Sequence, residues 1–453
     1  MQQANANSTH PSASVANLGL VLLILSFVTY GLKYVVNLVF AKNMPAEVYG
    51  DLSLALRLLA IAAALTLLGT GTSAKRFLAK YLQTNRHADS ASYLHWNMRL
   101  VARAYILVWV GALVAGALMF HLHLFGLRDI ESYHLAVYML WIAPLVATGT
   151  LLAAFLLCDD LPVSSYLFSK TTRYALMAAA FYLIFTIVEA LPSNLTIVGA
   201  LAAVWLLILV LELVYAAFRA PRLFHHLAGL VRGLKTKPNP AQVQEWTRVS
   251  RRLIINHLVF LFLGSLDLML LELLGPSEAE VGYYSAVLTI IGMVWLLPDA
   301  PLRPIKPKIN TLSGSAADRQ VLQRMIRQAV LFNLVTVTMV TTVIVVFGDT
   351  LLSHFGPDYI QAYDALLIGV AAAAVASITR AGPVLLLFSD NEQTQLKITV
   401  FELSVMLCVG AVLAPSLGMV GVAWALFIGV SASSVASAVA VRRVVQLKSL
   451  IIV

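Results

Sequence analysis

The sequence predicts an all-α, polytopic membrane protein with about twelve transmembrane helices. Its composition and the length of its apolar segments support this fold class. Hydrophobic residues make up 60% of the 453 residues and charged residues only 12%, whereas a soluble domain carries roughly 25% charged residues. The apolar residues form segments of about 20 residues, which is the length that spans a bilayer as a helix. The chain is therefore predicted to lie in a membrane.

The distribution of basic residues predicts the orientation of the chain. Most of its 31 Lys and Arg residues lie in every second connection between the apolar segments, or in the C-terminal tail. These connections include Lys170 and Arg173, which we place before a fifth segment at 173–191, whereas the opposite connections carry only Lys42 and Arg128. Because cytoplasmic loops are enriched in Lys and Arg, both termini are predicted to be cytoplasmic. The net charge of +9 thus reflects topology and does not indicate binding of nucleic acid.

The long central loop divides the sequence into two similar halves. We predict an N-terminal six-helix bundle at residues 1–218, a cytoplasmic linker at 219–251 and a C-terminal six-helix bundle at 252–453. A Gly-x-x-Ser pattern begins an apolar segment at Gly50 in the first half and at Gly282 in the second. Paired bundles of this kind enclose a central cavity near the middle of the membrane. The arrangement predicts a carrier that works by alternating access.

Other classes of protein lack support in the sequence. The first 16 residues contain no Lys or Arg, so they lack the basic region of a signal peptide, and the first apolar segment is expected to be retained. Cys158 and Cys408 are too few for a disulfide framework or a thiolate metal site. No G-x-x-x-x-G-K-[ST] phosphate-binding loop occurs. We therefore expect no cofactor and no enzymatic activity.

Three charged residues within the predicted helices are candidates for a central site. Lys33, Arg57 and Asp267 lie at similar depth, roughly 10 Å below the outer surface at 1.5 Å per residue. A charge at the centre of a spanning helix costs about 2.5–3.5 kcal/mol and therefore faces a partner or a cavity. In one interpretation, Asp267 pairs with Lys33 or Arg57 and joins the halves. In the other, Lys33 and Arg57 bind an anionic headgroup, to which both residue types are suited, and Asp267 has a gating role.

A second pair of charges lies closer to the cytoplasmic side. Arg380 in the tenth segment and Glu402 in the eleventh approach the same level from opposite directions, and we predict an ion-pair role for Glu402. Arg380 precedes Pro383 by three residues, where a helix break frees backbone carbonyls beside a cavity. Arg380 is therefore a further candidate for binding a substrate headgroup.

Several motifs, taken in their order along the chain, carry a resemblance to a known family. They are Phe40–Gly50, Leu67–Phe77, Val281–Tyr284, Phe355–Tyr359 and Gly418–Ala425. With the spacing of the twelve segments, the chain resembles the Wzx-type polysaccharide flippases of O-antigen and exopolysaccharide synthesis. These belong to the multidrug/oligosaccharidyl-lipid/polysaccharide exporter superfamily. The resemblance covers nearly the whole chain.

The resemblance implies a substrate, a location and partners. The substrate would be an undecaprenyl-pyrophosphate-linked oligosaccharide repeat unit, moved across the bacterial inner membrane for lipopolysaccharide or exopolysaccharide synthesis. The family is thought to open a V-shaped cationic cavity between its bundles, and Lys33 and Arg57 are placed to supply positive charge there. Besides membrane lipids, the implied partners are a polysaccharide polymerase and a chain-length regulator.

Two alternatives remain open from the sequence. A cation-coupled multidrug exporter of the same superfamily commonly carries an acidic residue in helix 1, where this chain has Lys33 and no Asp or Glu. A membrane glycosyltransferase or polysaccharide polymerase usually needs a large outer loop, whereas the outer loops here are short. Lipid II flippases are a poorer match, because they carry additional helices and more cavity arginines.

Overall fold

The structure, a computed structural model, is all-helical in the residues that it describes. These are residues 11–84, 86–125, 134–187, 192–220, 223, 239–302, 305–306, 309, 316–389 and 391–445. None of them forms a strand, so the predicted fold class is confirmed. The predicted linker at 219–251 lies mostly outside the described residues, and so does Arg128.

The first half of the chain forms nine α-helices within the described ranges. They are α1 (Pro11–Asn43), α2 (Ala46–Leu67), α3 (Thr70–Gln83), α4 (His87–Leu124), α5 (Leu135–Met139), α6 (Ala143–Cys158), α7 (Pro162–Tyr166), α8 (Arg173–Ile187) and α9 (Asn194–Arg219). A π-helical segment, Leu167–Thr172, joins α7 to α8.

The second half continues with eight α-helices within the described ranges. They are α10 (Pro240–Leu263), α11 (Leu266–Leu274), α12 (Glu278–Leu296), α13 (Asp299–Leu302), α14 (Ala316–Ser353), α15 (Tyr363–Ile378), α16 (Ala381–Phe388) and α17 (Glu392–Ala440). A 3-10 helix, Pro357–Ala362, precedes α15, and a π-helical turn, Val441–Val445, follows α17.

Many of these helices are long enough to cross a membrane. In the described part of the chain, eight helices have the required length and apolarity, and α10 with α11 makes a ninth if that bent pair is one crossing. Helix α17 contains two helical parts, because Gly418 interrupts it with φ 54° and ψ −132°. The backbone N–H of Met419 donates to the Glu280 carboxylate at 2.6 Å, which fixes this bend. The protein is a multi-span membrane protein, while twelve crossings and cytoplasmic termini remain predictions.

Large apolar side chains cover the outside of the bundle. Leu107 of α4 is 73% exposed, Ile187 of α8 is 75% exposed and Phe218 of α9 is 80% exposed. A soluble monomer rarely exposes contiguous apolar surface of this kind. These helix faces are therefore the surface that contacts lipid.

The two halves meet at the end of the bundle where α1 turns into α2 and α11 turns into α12, which we name the distal end. A Cβ atom on Gly50 would lie 2.6 Å from the backbone nitrogen of Gly282. A Cβ atom on Gly282 would overlap the carbonyl oxygen of Ala46. The first turns of α2 and α12 therefore pack backbone to backbone, as small residues allow in membranes.

Helix α10 begins in contact with the N-terminal half. The fully buried Trp246 donates its indole N–H to the Tyr81 hydroxyl at 3.2 Å and packs edge-on against Tyr93 at 5.2 Å between ring centroids. Ser250 donates to the Ser73 hydroxyl at 2.8 Å. After Gly264 the chain bends by 51° into α11. The predicted division of the chain into bundles at residues 218 and 252 stays a proposal. The start of α10 packs on the first bundle, although it belongs to the second half of the sequence.

The predicted loop position of Lys170 and Arg173 is wrong, because the structure places both residues in a helix. Helical residues run without interruption from Pro162 to Ile187, so the fifth segment begins before residue 173 and includes both basic residues. Pro162 occupies the first helical position, where its missing N–H costs nothing. The polar residues that follow Pro162 made this part of the helix look like a loop. The orientation of the chain stays a prediction.

Candidate functional site

Three basic side chains form a cluster inside the N-terminal half. Lys33 lies on α1, Lys170 in the π-helical segment and Arg173 at the start of α8. Helix α1 packs along both the π-helical segment and α8. Lys33 is consequently within electrostatic range of Arg173 and Lys170. We name Lys33, Lys170 and Arg173 the cationic cluster.

Aromatic side chains hold Arg173 in position. Its Nη2 donates to the Tyr174 hydroxyl at 2.7 Å. Its guanidinium carbon lies 4.5 Å from the centroid of the Tyr174 ring and 5.6 Å from that of Trp205. Arg stacks well on aromatic faces because its guanidinium is planar and weakly hydrated. The Nε of Arg173 is buried and has no hydrogen-bond partner among the described residues, so this donor is unsatisfied in the present conformation.

The π-helical segment is tied to α1 close to Lys33. The Thr171 hydroxyl lies 2.6 Å from that of Thr29, and this hydrogen bond is buried. One turn farther along α1, the Lys33 ammonium lies 6.0 Å from the centroid of the Tyr30 ring. A π-helical turn widens the helix and often occurs at functional sites. The segment therefore sets the direction in which Lys170 and Arg173 leave their helix.

The cationic cluster has no acidic partner within the described residues. None of the ion pairs found there involves Lys33, Lys170 or Arg173. Lys170 is exposed, and Lys33 and Arg173 are partly exposed, although all three lie well inside long helices. Ionisable residues are rare in membrane helices and often mark substrate pathways. An accessible group of ammonium and guanidinium donors is suited to phosphate or carboxylate oxygens.

Arg57 and Asp267 connect the two halves. Arg57 Nη1 lies 3.4 Å from Asp267 Oδ1 and also donates to the carbonyl oxygen of Gly264. The nearly buried Asp267 accepts the backbone N–H of Leu268 at 2.8 Å. Arg57 on α2 thus contacts both sides of the bend between α10 and α11. This geometry favours the ion-pair interpretation of Asp267, and a headgroup role for Arg57 remains a prediction.

Replacing Asp267 by asparagine should destabilise the protein in detergent. The Asp267→Asn variant keeps an acceptor for Leu268 but removes the negative charge opposite Arg57. We expect the free energy of unfolding to fall by about 1–3 kcal/mol. The loss should lie at the lower end of this range, because Arg57 is partly exposed and water can replace the carboxylate of Asp267. Thermal unfolding in detergent measures this loss. Asp349→Asn, at an exposed position, is the matched control, and equal melting temperatures for both variants would argue against the ion pair.

Arg380 and Glu402 lie close together in the C-terminal half. Arg380 stands at the break between α15 and α16, and Glu402 of α17 is within its electrostatic range. Arg380 also lines a cavity of about 250 Å³ together with Asn256, Pro383 and Gln395. Both sequence interpretations, the ion pair of Glu402 and the headgroup role of Arg380, remain predictions.

A polar contact at the distal end also joins the halves. His134 Nδ1 accepts the backbone N–H of Ala136 at 3.0 Å, and its Nε2 faces Asp51 Oδ1 at 2.9 Å. The same Nε2 lies 3.7 Å from Glu272 Oε1 of the second half. Asp51 in addition accepts the backbone N–H of Leu135 at 3.1 Å. His134 therefore lies between acidic groups of both halves where the bundle is closed.

Comparison with known proteins assigns the chain to a family. The family model described as "Polysaccharide biosynthesis protein" matches residues 15–297, which is well over half of the chain. The chain belongs to this family. The matched range contains the cationic cluster, Arg57 and Asp267. No curated protein sequence matches this polysaccharide biosynthesis protein.

Solved transporter structures share the fold of this polysaccharide biosynthesis protein. An inward-facing multidrug resistance MATE family transporter of the MOP superfamily has a TM-score of 0.63 at 14% identity, over 94% of this chain and 98% of that one. The MATE multidrug transporter DinF-BH has a TM-score of 0.60 at 16% identity, over 98% of both chains. The lipid II flippase MurJ in an inward closed conformation has a TM-score of 0.58 at 11% identity, over 93% of this chain and 87% of that one. The fold is thus that of MOP superfamily transporters, as the motifs suggested.

The structure groups Lys33 with two basic residues, Lys170 and Arg173, that the sequence analysis had assigned to a loop. It also places Arg57 beside Asp267, which was one of the two sequence interpretations. Lys170 and Arg173 were missed because they were assigned to a loop. Pro162 was the signal that could have revealed them, since proline at a first helical position marks a helix start.

Proposed function

We propose that this polysaccharide biosynthesis protein moves a lipid-linked oligosaccharide across the bacterial inner membrane. The substrate would carry a pyrophosphate between an undecaprenyl lipid and the sugar repeat unit. The observation that carries the proposal is the cationic cluster, whose three basic side chains lack an acidic partner among the described residues. A multiply charged headgroup would supply the missing negative charge.

The cluster offers different donors to a pyrophosphate. Lys33 and Lys170 act as point charges, while the guanidinium of Arg173 keeps an unused Nε donor beside its bond to Tyr174. Lysine and arginine both bind phosphate oxygens, the lysine through charge and the arginine through fixed N–H directions. Arg57 lies within electrostatic range of Lys33 and adds positive potential while it stays bonded to Asp267.

Contacts between the halves support transport by alternating access. The halves touch at the distal end through Gly50 and Gly282 and through His134 and Glu272. If the distal end faces outward, as the basic residues predict, this conformation is closed toward the outer side. Separation at the distal end would then release the oligosaccharide on the outer side. There a polymerase and a chain-length regulator, partners that the family resemblance implies, would receive it.

Export of cationic drugs is the rival function within the same superfamily. An unpaired group of positive charges would repel such a substrate, because like charges in a low-dielectric cavity interact strongly. Helix α1 also carries Lys33 and no acidic residue between Leu18 and Asn43. These two observations favour an anionic substrate.

A transport assay with purified protein tests the proposal. Liposomes would contain an undecaprenyl-pyrophosphate-linked oligosaccharide, and a membrane-impermeant sugar-modifying enzyme would report how fast the inner-leaflet pool becomes accessible. We expect faster exchange with the wild-type protein than in empty liposomes. No acceleration, together with uptake of a cationic dye, would move the assignment to a multidrug exporter.

A deletion strain provides the cellular counterpart of this assay. We expect loss of surface polysaccharide, with lipid-linked repeat units retained on the cytoplasmic leaflet. Normal polysaccharide with heightened sensitivity to cationic drugs would contradict the proposal.

A further inference from the structure

Glu212 is a buried acidic side chain that the proposed headgroup site does not use. It lies on α9 and is fully buried. The buried face of α9 is otherwise apolar or aromatic: Ile197, Val198, Leu201, Val204, Trp205, Ile208 and Ala216. Neither carboxyl oxygen of Glu212 has a hydrogen-bond partner among the described residues.

The surroundings of Glu212 differ from those of Asp267. Both side chains are buried in the part of the chain that the structure describes. Asp267 has the guanidinium of Arg57 and the N–H of Leu268 as partners, whereas Glu212 faces apolar groups. An ionised carboxylate without partners is strongly disfavoured in such surroundings, and the group takes up a proton instead. The geometry therefore fits Glu212 as a neutral carboxylic acid.

A glycine provides the space for this carboxyl group. A Cβ atom on Gly149 of α6 would lie 3.6 Å from Glu212 Oε2 and 3.5 Å from Trp205 Cζ3. The carboxyl group thus rests against the bare backbone of α6, beside the indole ring. As long as α6 and α9 remain packed, this position is closed to water.

Trp205 connects this position with the cationic cluster. The Trp205 ring lies 5.6 Å from the Arg173 guanidinium carbon, and it packs on Gly149 beside Glu212. Arg173 Nε and both oxygens of Glu212 are buried donors and acceptors that lack partners within the described ranges. A movement of Trp205 would therefore affect the surroundings of both groups.

We propose that Glu212 is a proton-binding site whose occupancy is linked to the transport cycle. In the present conformation the carboxyl group holds the proton. When α6 and α9 separate and water or Arg173 reaches the group, the O–H bond breaks and the proton passes to solvent. Because only one of the two conformations holds the proton firmly, a proton gradient would shift the balance between them. The proton site itself is independent of the substrate, while its link to transport rests on the function proposed above.

Infrared spectroscopy tests the proton site without any substrate. The purified protein at neutral pH should show the C=O stretch of a protonated carboxylic acid, and this band should disappear in Glu212→Gln. Glu47→Gln, the same change at an exposed position, should leave the band unchanged. A spectrum in which Glu212→Gln removes only a carboxylate band would overturn the proposal.

Transport under a pH difference tests the link to the cycle. We expect an imposed pH gradient to change the transport rate of the wild-type protein about fivefold or more. The transport rate of Glu212→Gln should be the same with and without the gradient. Glu212→Asp keeps an ionisable group and should keep a response. A gradient-independent wild type, or a Glu212→Gln variant that still responds, would reject the link. A wild type that moves no lipid-linked substrate would reject the proposed function, and the infrared result would still decide the proton site.

Discussion

Replacing Lys33 and Arg173 together by alanine should abolish transport of the pyrophosphate-linked substrate and leave the protein in the membrane. A hydrogen bond to a charged group contributes about 1.5–3 kcal/mol, and 1.4 kcal/mol corresponds to about a tenfold change in affinity. Each single variant should therefore weaken substrate binding by about 10- to 100-fold. The initial transport rate as a function of substrate concentration measures the effect.

Matched variants separate charge from geometry in this experiment. Arg173→Lys keeps the charge but loses the planar fork and the stacking on Tyr174 and Trp205, so its activity should fall between wild type and alanine. Lys42→Ala, an exposed residue at the distal end of α1, should transport normally. Full activity of the Lys33 and Arg173 double variant would show that the cationic cluster does not bind the headgroup.

Replacing Gly282 by alanine should keep the distal end from closing and should stop transport. The added Cβ would overlap the carbonyl oxygen of Ala46 and lie 2.7 Å from its carbon, and neither backbone can yield without moving its helix. This overlap would lower the population of the closed conformation. Transport would then stop, because a carrier must visit both conformations in each cycle. Spin labels on Glu47→Cys and Glu278→Cys, with the native cysteines removed, would report a longer distance between the halves.

The control for this variant is a glycine with free space around it. A Cβ atom on Gly199 of α9 would have no heavy atom within 4 Å, so Gly199→Ala should transport at the wild-type rate. Gly50→Ala should behave like Gly282→Ala, since its Cβ would lie 2.6 Å from the Gly282 nitrogen. An unchanged spin-label distance in Gly282→Ala would mean that the two helices accommodate the added methyl group without separating, and it would contradict this prediction.

Some of these features could be predicted from the sequence because they depend on composition and on position along a helix. Apolar length and charge content alone indicated a helical membrane protein. The contact between Arg57 and Asp267 was one of two interpretations, since equal depth in antiparallel helices brings opposite charges to one level. The glycine pattern at Gly50 and Gly282 was recognised as a repeat. The contact between the two glycines depends on how the halves pack against each other. The sequence pattern does not contain that information.

Other features depend on tertiary contacts and could not be read from the sequence. Lys170 and Arg173 lie in a stretch of mixed polar and apolar residues, and the packing of the π-helical segment against Thr29 and α1 is a tertiary contact that this stretch does not reveal. Glu212 lies in a clearly apolar segment, but its lack of a partner depends on which helix faces it. His134 joins the two halves through its contact with Glu272, and the sequence does not show that these two residues meet.

The attachment of α10 to the first half has a mechanical consequence. Trp246 holds the beginning of this helix on α3 and α4, whereas α11 packs along α17 of the second half. If the halves rotate against each other, the angle at Gly264 has to change. Arg57 contacts the chain on both sides of that angle, so it sits at the pivot, where a rotation displaces atoms least. The ion pair between Arg57 and Asp267 can therefore persist during the conformational change that breaks the contacts at the distal end.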